Sequence, residues 1–320
     1  MKSNLIAGVV ALSAAFALTA CGQEKPAAPA AAPKTDGPPT VGLVMKSLSN
    51  EYFQQMQQGA VAHVAQRNND VKLLSGGIQN ETDVDGQVAL IDNYITQRVN
   101  AIVLAPADSK ALVQSVKKAT DAGIKVVNID VKLDDGALKQ AGLDIPFVAP
   151  DNQAAALESG LVLAKALSKG DGCVILEGNP GADNATQRAN GFKAAVQQSG
   201  LTLVASQTAH WETAEANSVF GNILTANPGV KCLMASNDNM ALGALKVIEE
   251  RGADVKVASF DNLPAIKPYI VSGKVVATVE QHGSEQAGFG IDCAMTLLAG
   301  QQCTGWQRTP TEVITKDNVG

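Results

Sequence analysis

"ASNDNMALGA", residues 235–244, decides how this chain folds. The apolar run Cys232-Leu233-Met234-Ala235 stops abruptly at Asn237 and Asp238, and a segment of helical spacing, "NMALGALKVIEE", begins there. An apolar run that leads straight into a helix reads as a strand of a parallel sheet, covered on both faces. Two adjacent hydrogen-bonding side chains at that junction admit two roles. One is to cap the helix; the other is to meet a ligand beyond the carboxyl end of the strand. Asp238, directly ahead of the helical pattern, is expected to be the cap, and Asn237 to face a ligand.

The same junction recurs along the chain. "VGLVM", "VKLL", "AIVLAP" and "IKVVNID" follow one another from Val41 with helical segments between them. In the first of these, Phe53, Met56, Ala60 and Val64 share one face of a helix over Glu51–Gln66. The pattern restarts at "CVILEG" (residues 173–178) and runs on through "LTLVASQ", "CLMAS", "VKVASFD" and "VVATVEQ". Two βαβ series predict an α/β protein of two doubly wound lobes. "FVAPDN", residues 147–152, is the expected crossing between them.

Ligands of open parallel sheets sit beyond the carboxyl ends of the strands. Those ends carry Lys46 and Asn50, then Asp130, in the first series, and Arg188, Trp211, Asn237, Asp261 and Gln281 in the second. This donor and acceptor set suits a neutral polyhydroxylated ligand, because each hydroxyl both donates and accepts. Tyr52, Phe53 and Trp211 supply aromatic faces for the ligand's C–H surfaces. Plain structural readings stand beside these: Arg188 as a surface charge, Trp211 as packing between lobes, Phe53 as part of a core-facing stripe.

The net charge of −6 and the scattered basic residues argue against a nucleic-acid partner. Lys2, the apolar stretch Leu5–Leu18 and the small residues that follow form a secretion signal over residues 1–20. Residues 21–39 are Pro/Ala-rich and read as a tether. Cys173 and Cys232 open apolar runs and are expected to be small buried residues. Cys293 and Cys303, ten apart across a helix end, are a possible disulfide in an oxidising compartment.

"LTAC" at Leu18–Cys21 resembles the bacterial lipobox, which implies cleavage before Cys21, lipidation of that residue and attachment to the cell envelope by the lipid alone. From Val41 to about Asn318, "VGLVMKSLSNEYF", "GIKVVNID", "RANGF", "SNDNMALGALK" and "VASFDNLP" resemble the periplasmic sugar-binding proteins of ABC importers, in the ribose/allose-type group. The resemblance implies two Rossmann-like lobes joined by a three-segment hinge. The N-terminal lobe would span 40–150 and take 282–309, and the C-terminal lobe 151–281 with 310–320. It implies a monomer that closes on a monosaccharide and docks on a membrane permease, or on a chemoreceptor. Lys46, Asn50, Tyr52, Phe53, Asp130, Arg188, Trp211, Asn237, Asp261 and Gln281 fall on the positions that touch the sugar.

Two departures bear on the sugar. Ribose-type members carry a small hydroxyl residue where Lys46 stands, and an Asp-Arg pair where this chain has Asp130-Val131. With "NIDVKLDDGALKQAG", these resemble the allose-binding branch, so an aldohexose such as allose is expected, with a polyol or pentose as the alternative. The calcium loop of galactose-type members has no counterpart, and neither a metal nor a cofactor is expected. An enzyme is not expected either. His63, His210 and His282 join no visible catalytic pattern, although a glycosidase using Asp130 and Asp261 is the competing reading. A LacI-type repressor shares this fold but begins with a DNA-binding helix-turn-helix, not a secretion signal.

Overall fold

The computed structural model describes residues 37–320 apart from residue 69. The secretion signal, Cys21 and nearly all of the tether lie outside the described residues. The first series runs β1 (Thr40–Ser47), α1 (Glu51–Gln66), β2 (Lys72–Ile78), α2 (Val84–Thr96), β3 (Ala101–Leu104), α3 (Val113–Asp121), β4 (Lys125–Ile129), α4 (Asp135–Ala141) and β5 (Phe147–Ala149). The second runs α5 (Asn152–Ala164), β6 (Gly172–Glu177), α6 (Asp183–Ser199), β7 (Thr202–Thr208), α7 (Thr213–Ala226), β8 (Val230–Ala235), α8 (Asp238–Arg251), β9 (Lys256–Ala258), α9 (Lys267–Val271) and β10 (Val275–Glu280). The chain then returns through α10 (Gly283–Leu298) and β11 (Trp306–Arg308), and ends with β12 (Glu312–Ile314).

Two six-stranded sheets result, ordered β11-β5-β4-β3-β1-β2 and β12-β10-β9-β8-β6-β7. All pairs are parallel except β12, which lies antiparallel to β10 at one edge. The chain passes from one sheet to the other three times, after β5, after β10 and after β11.

Alternation within the strands explains why both faces of each sheet are covered. Val41, Leu43 and Met45 of β1 join one cluster, with Ala101 and Val103 of β3. Val44, Ile102 and Leu104 face the opposite cluster, formed with α2 and α3. The second sheet divides likewise: Val174, Leu176, Leu233 and Ala235 face α7 and α8, and Cys173, Ile175, Cys232 and Met234 face α5 and α6. Helix α10 closes the first lobe by lying along α1. Gly59 permits that approach, since a Cβ there would collide with the backbone of Ser284.

Each lobe sends one apolar side chain into the core of the other. Val131, just past β4, is fully buried with Val174, Leu176 and Ala182 of the second lobe. Leu263, past β9, is fully buried with Tyr52, Phe53 and Met56 of the first. Polar contacts join the lobes at the loops ahead of α3 and α6. The Ser109 N–H donates to Gly181 O at 2.9 Å, and the Asp183 N–H donates to Ser109 Oγ at 2.9 Å. The lobes are therefore closed on one another.

Candidate functional site

The first lobe offers one face of the site. Lys46 is the penultimate residue of β1, and Asn50 N-caps α1 by accepting from the Tyr52 N–H at 3.0 Å. Capping leaves the Asn50 amide free to donate to Glu81 Oε1 at 2.9 Å. Lys46 Nζ lies 2.9 Å from Glu81 Oε2, an ion pair outside hydrogen-bond geometry, with the two side chains 3% and 2% exposed. The same ammonium stands 5.4 Å from the Phe53 ring centre and 5.1 Å from that of Trp211. Tyr52 and Phe53 meet edge to face at 5.1 Å. Asp130 follows β4 with a left-handed φ of 63°. The loop beyond it is pinned by Asn128, which accepts from the Leu133 N–H at 2.8 Å and donates to Val131 O at 2.7 Å.

The second lobe centres on Arg188, in the second turn of α6. Its Nε donates to Asn152 Oδ1 at 2.8 Å, and Nη1 donates to Ser236 O at 3.0 Å and to Asp261 Oδ1 at 3.4 Å. Nη2 donates to Gln281 Oε1 at 3.3 Å, and the guanidinium lies 3.7 Å over the Phe260 ring. Gln281 in turn donates to Asp261 Oδ1 at 2.6 Å. A guanidinium so satisfied is a fixed fork and not a solvated charge. Trp211 is carried on a turn in which His210 and Trp211 both have left-handed backbones, at φ 47° and 71°. The Thr208 hydroxyl braces that turn, accepting from the His210 N–H at 3.1 Å and donating to Gly178 O at 2.6 Å. Gly178 is required here because a Cβ would occupy the space of the indole.

All ten strand-end residues named above converge on one interlobe cavity with about 250 Å³ of empty space. Asn184, one turn before Arg188 on the same face of α6, lines it as well. Three buried polar atoms of the lining residues have no hydrogen-bond partner among the described residues: Asp130 Oδ2, Asn184 Oδ1 and Trp211 Nε1. Burial pushes the Asp130 carboxyl up, against the pull of Lys46 and Arg188. It pushes Asp261 well up, opposed by Arg188. The charges close locally, with Lys46 paired to Glu81 and Arg188 to Asp261, so that Asp130 is the one remaining carboxylate of the lining.

Residues 41–302 match the family described as periplasmic binding protein domain. The chain belongs to that family. Among relatives of this periplasmic binding protein is the D-ribose/D-allose-binding protein of Pseudomonas aeruginosa, 44% identical over 310 residues, which cover 95% of this chain and 97% of that one. A solved structure of an ABC transporter solute-binding protein from Burkholderia multivorans superposes with a TM-score of 0.84 at 43% identity, over 87% of this chain and 100% of that one. One from Actinobacillus succinogenes with bound D-allose gives 0.82 at 36%, over 88% and 99%. The fold is that of the two-lobed sugar-binding members of the family, and the protein is a binding protein, not an enzyme.

The structure corrects the division of labour at 237–238. Asn237 is the N-cap of α8, accepting from the Met240 N–H at 2.9 Å, and it also lines the cavity. Asp238 faces the interior of the lobe. Its Oδ1 accepts from the Ser259 and Thr278 hydroxyls, and Oδ2 accepts from the Leu263 N–H at 2.8 Å. It ties β9, β10 and the loop between them together. Cys173 and Cys232 are fully buried, as expected, and face each other in register on adjacent β6 and β8, with Cα atoms 4.6 Å apart. Cys293 and Cys303 also lie side by side, with Cα atoms 5.6 Å apart.

Sequence reasoning missed Glu81, Asn152 and Asn184. Glu81 lies just past the carboxyl end of β2, but the strand is read as "VKLL" when it continues through Ser75, Gly76 and Gly77 to Ile78. Asn184 had a signal, its one-turn spacing from Arg188. Asn152, in the first turn of α5, had none.

Proposed function

We propose that the protein captures a neutral monosaccharide, an allose-like aldohexose, between its closed lobes and presents it to the membrane permease of an ABC importer. The observation that carries this reading is the set of unpartnered buried atoms: two acceptors, Asp130 Oδ2 and Asn184 Oδ1, and one donor, Trp211 Nε1, from opposite lobes of one cavity. A buried polar atom without a partner is costly, and ligand hydroxyls both donate and accept. Phe53 and Trp211 offer aromatic faces to the same space. Locally paired charges favour a neutral ligand. Lys46, and Val131 in place of a second arginine, support the aldohexose over ribose, as does the D-allose of the A. succinogenes relative. The roles of the ten strand-end residues as sugar contacts belong to this proposal, as do the domain limits at residues 150, 281 and 309.

The Leu18–Cys21 sequence supports a mature form anchored to the cell envelope through lipidated Cys21. Acyl chains supply that anchoring in proportion to their buried methylenes. The closed face serves the permease, and a chemoreceptor could read the same face. The test is a thermal-shift screen of residues 22–320 against aldohexoses, pentoses, ketoses and polyols. A sugar at a hundredfold excess over its Kd adds about 2.7 kcal/mol of stability. A selective shift with an aldohexose is expected. A selective shift with a polyol or pentose replaces the ligand, and none across the panel overturns the reading.

A further inference from the structure

Glu81 does not line the cavity, yet it is among the most deeply buried carboxylates beside it. Its Oε2 stands 2.9 Å from Lys46 Nζ, and its Oε1 accepts from the Asn50 amide at 2.9 Å. Its backbone N–H donates across the cleft to Glu212 Oε1 at 3.4 Å, next to Trp211. The Lys46 ammonium also stands against the ring faces of Phe53 and Trp211. A ring face attracts a cation but carries no neutralising charge. Without Glu81 the ammonium would lose its ion-pair partner and be left with the Asp130 carboxyl alone, at longer range, so that it would draw a further counter-charge from the ligand.

We propose that Glu81 is the positioning residue that makes this site select neutral over anionic sugars, by holding and neutralising Lys46. The inference rests on the sugar-binding reading above. With Glu81 present, an anionic sugar finds Lys46 already paired, Arg188 already paired with Asp261, and the Asp130 carboxylate facing it. Complementary charge sets specificity more than raw affinity, and rejection of the wrong ligand rests on such repulsive elements. Replacing the Glu81 charge frees the ammonium without altering any cavity-lining side chain. Glu81→Gln keeps an oxygen for the Asn50 amide, so the change is confined to charge.

The experiment is calorimetric titration of the purified wild type, Glu81→Gln and Lys46→Met/Glu81→Gln. The ligands are the neutral sugar that the wild type binds best, and D-glucuronate and D-galacturonate as anionic probes. In Glu81→Gln the affinity for a uronate relative to the neutral sugar rises by about tenfold or more. In the double variant, which removes both charges of the pair, that uronate gain is lost. A positioning role for packing alone would weaken all ligands together and leave the ratio unmoved, and that result overturns the proposal. So does a double variant with the same uronate gain as the single one. Should Glu81→Gln fail to fold, Glu81→Ala, which also removes the charge, is read in the same way: a raised uronate ratio supports the charge filter, and an unmoved one overturns it. A wild type that binds no neutral sugar fails the sugar reading itself, before either variant is measured.

Discussion

Val131 and Leu263 are exchanged between the lobes, each fully buried in the hydrophobic cluster of the lobe it does not belong to. Burying a Val or Leu side chain contributes about 1.5–3 kcal/mol. Here that contribution exists only when the lobes are shut, so it biases the open–closed equilibrium in favour of the form that retains ligand. Leu263→Ala, a truncation that costs about 2–5 kcal/mol in a rigid core, is expected to act mainly on closure. The sugar Kd should rise at least about tenfold, with an increased radius of gyration in solution scattering. Unchanged affinity and radius would show that the side chain serves only its own loop.

Arg188 connects α5, α6, β8 and β10 through Asn152, Ser236, Gln281 and Asp261. Lysine keeps the charge but loses the planar fork and the stack on Phe260. Arg188→Lys should therefore weaken sugar binding by about 100-fold or more, while circular dichroism shows the fold intact. Titration calorimetry checks it; a loss of less than threefold would make Arg188 a structural brace and not part of the binding surface.

The sequence made the fold legible because βαβ units write themselves twice, as near-continuous apolar strands and as helical faces such as Phe53-Met56-Ala60-Val64. The positions of the lining residues followed from one rule, that strand ends meet the ligand, and that rule is only as good as the strand end. It failed at β2, read as "VKLL", because the strand continues through Gly76 and Gly77 to Ile78, so Glu81 went unseen. It could not apportion Asn237 and Asp238, since both residues can cap and only the packing of β9 and β10 shows which one faces inward. That Cys173 faces Cys232 depends on register between strands whose cysteines are 59 residues apart, which no local pattern carries.

Gly178 supports the second lobe's aromatic wall. A methyl group there would take the place of the Trp211 indole. The turn at His210–Trp211 is already held in two left-handed conformations and braced by Thr208, so it has little freedom to yield. Overpacking of this kind costs about 1–3 kcal/mol. Gly178→Ala should move the indole, reduce its tryptophan fluorescence response to sugar, and weaken binding by about tenfold or more. Wild-type affinity with an unchanged fluorescence response would mean that the turn adjusts elsewhere.

Asp238 gives the fold a pH dependence whose sign can be worked out. Burial raises its carboxyl from 3.8 to about 7, against the Ser259, Leu263 and Thr278 hydrogen bonds, with Glu280 adding to the rise. The folded state therefore binds more protons than the unfolded chain between about pH 4 and pH 7. The stability this group contributes is complete below pH 4 and is lost as pH rises through 7, an effect of a few kcal/mol. Asp130 and Asp261 are shifted the same way by burial and add to the slope. The ligand-free protein should thus have a higher Tm at pH 5 than at pH 7.5. Asp238→Asn, which keeps an acceptor for the Ser259 and Thr278 hydroxyls but cannot titrate, should flatten part of that difference. The Tm of both proteins across pH 4–8 decides the point: equal slopes would place the titration at Asp130 and Asp261, and leave Asp238 ionised throughout by its three donors.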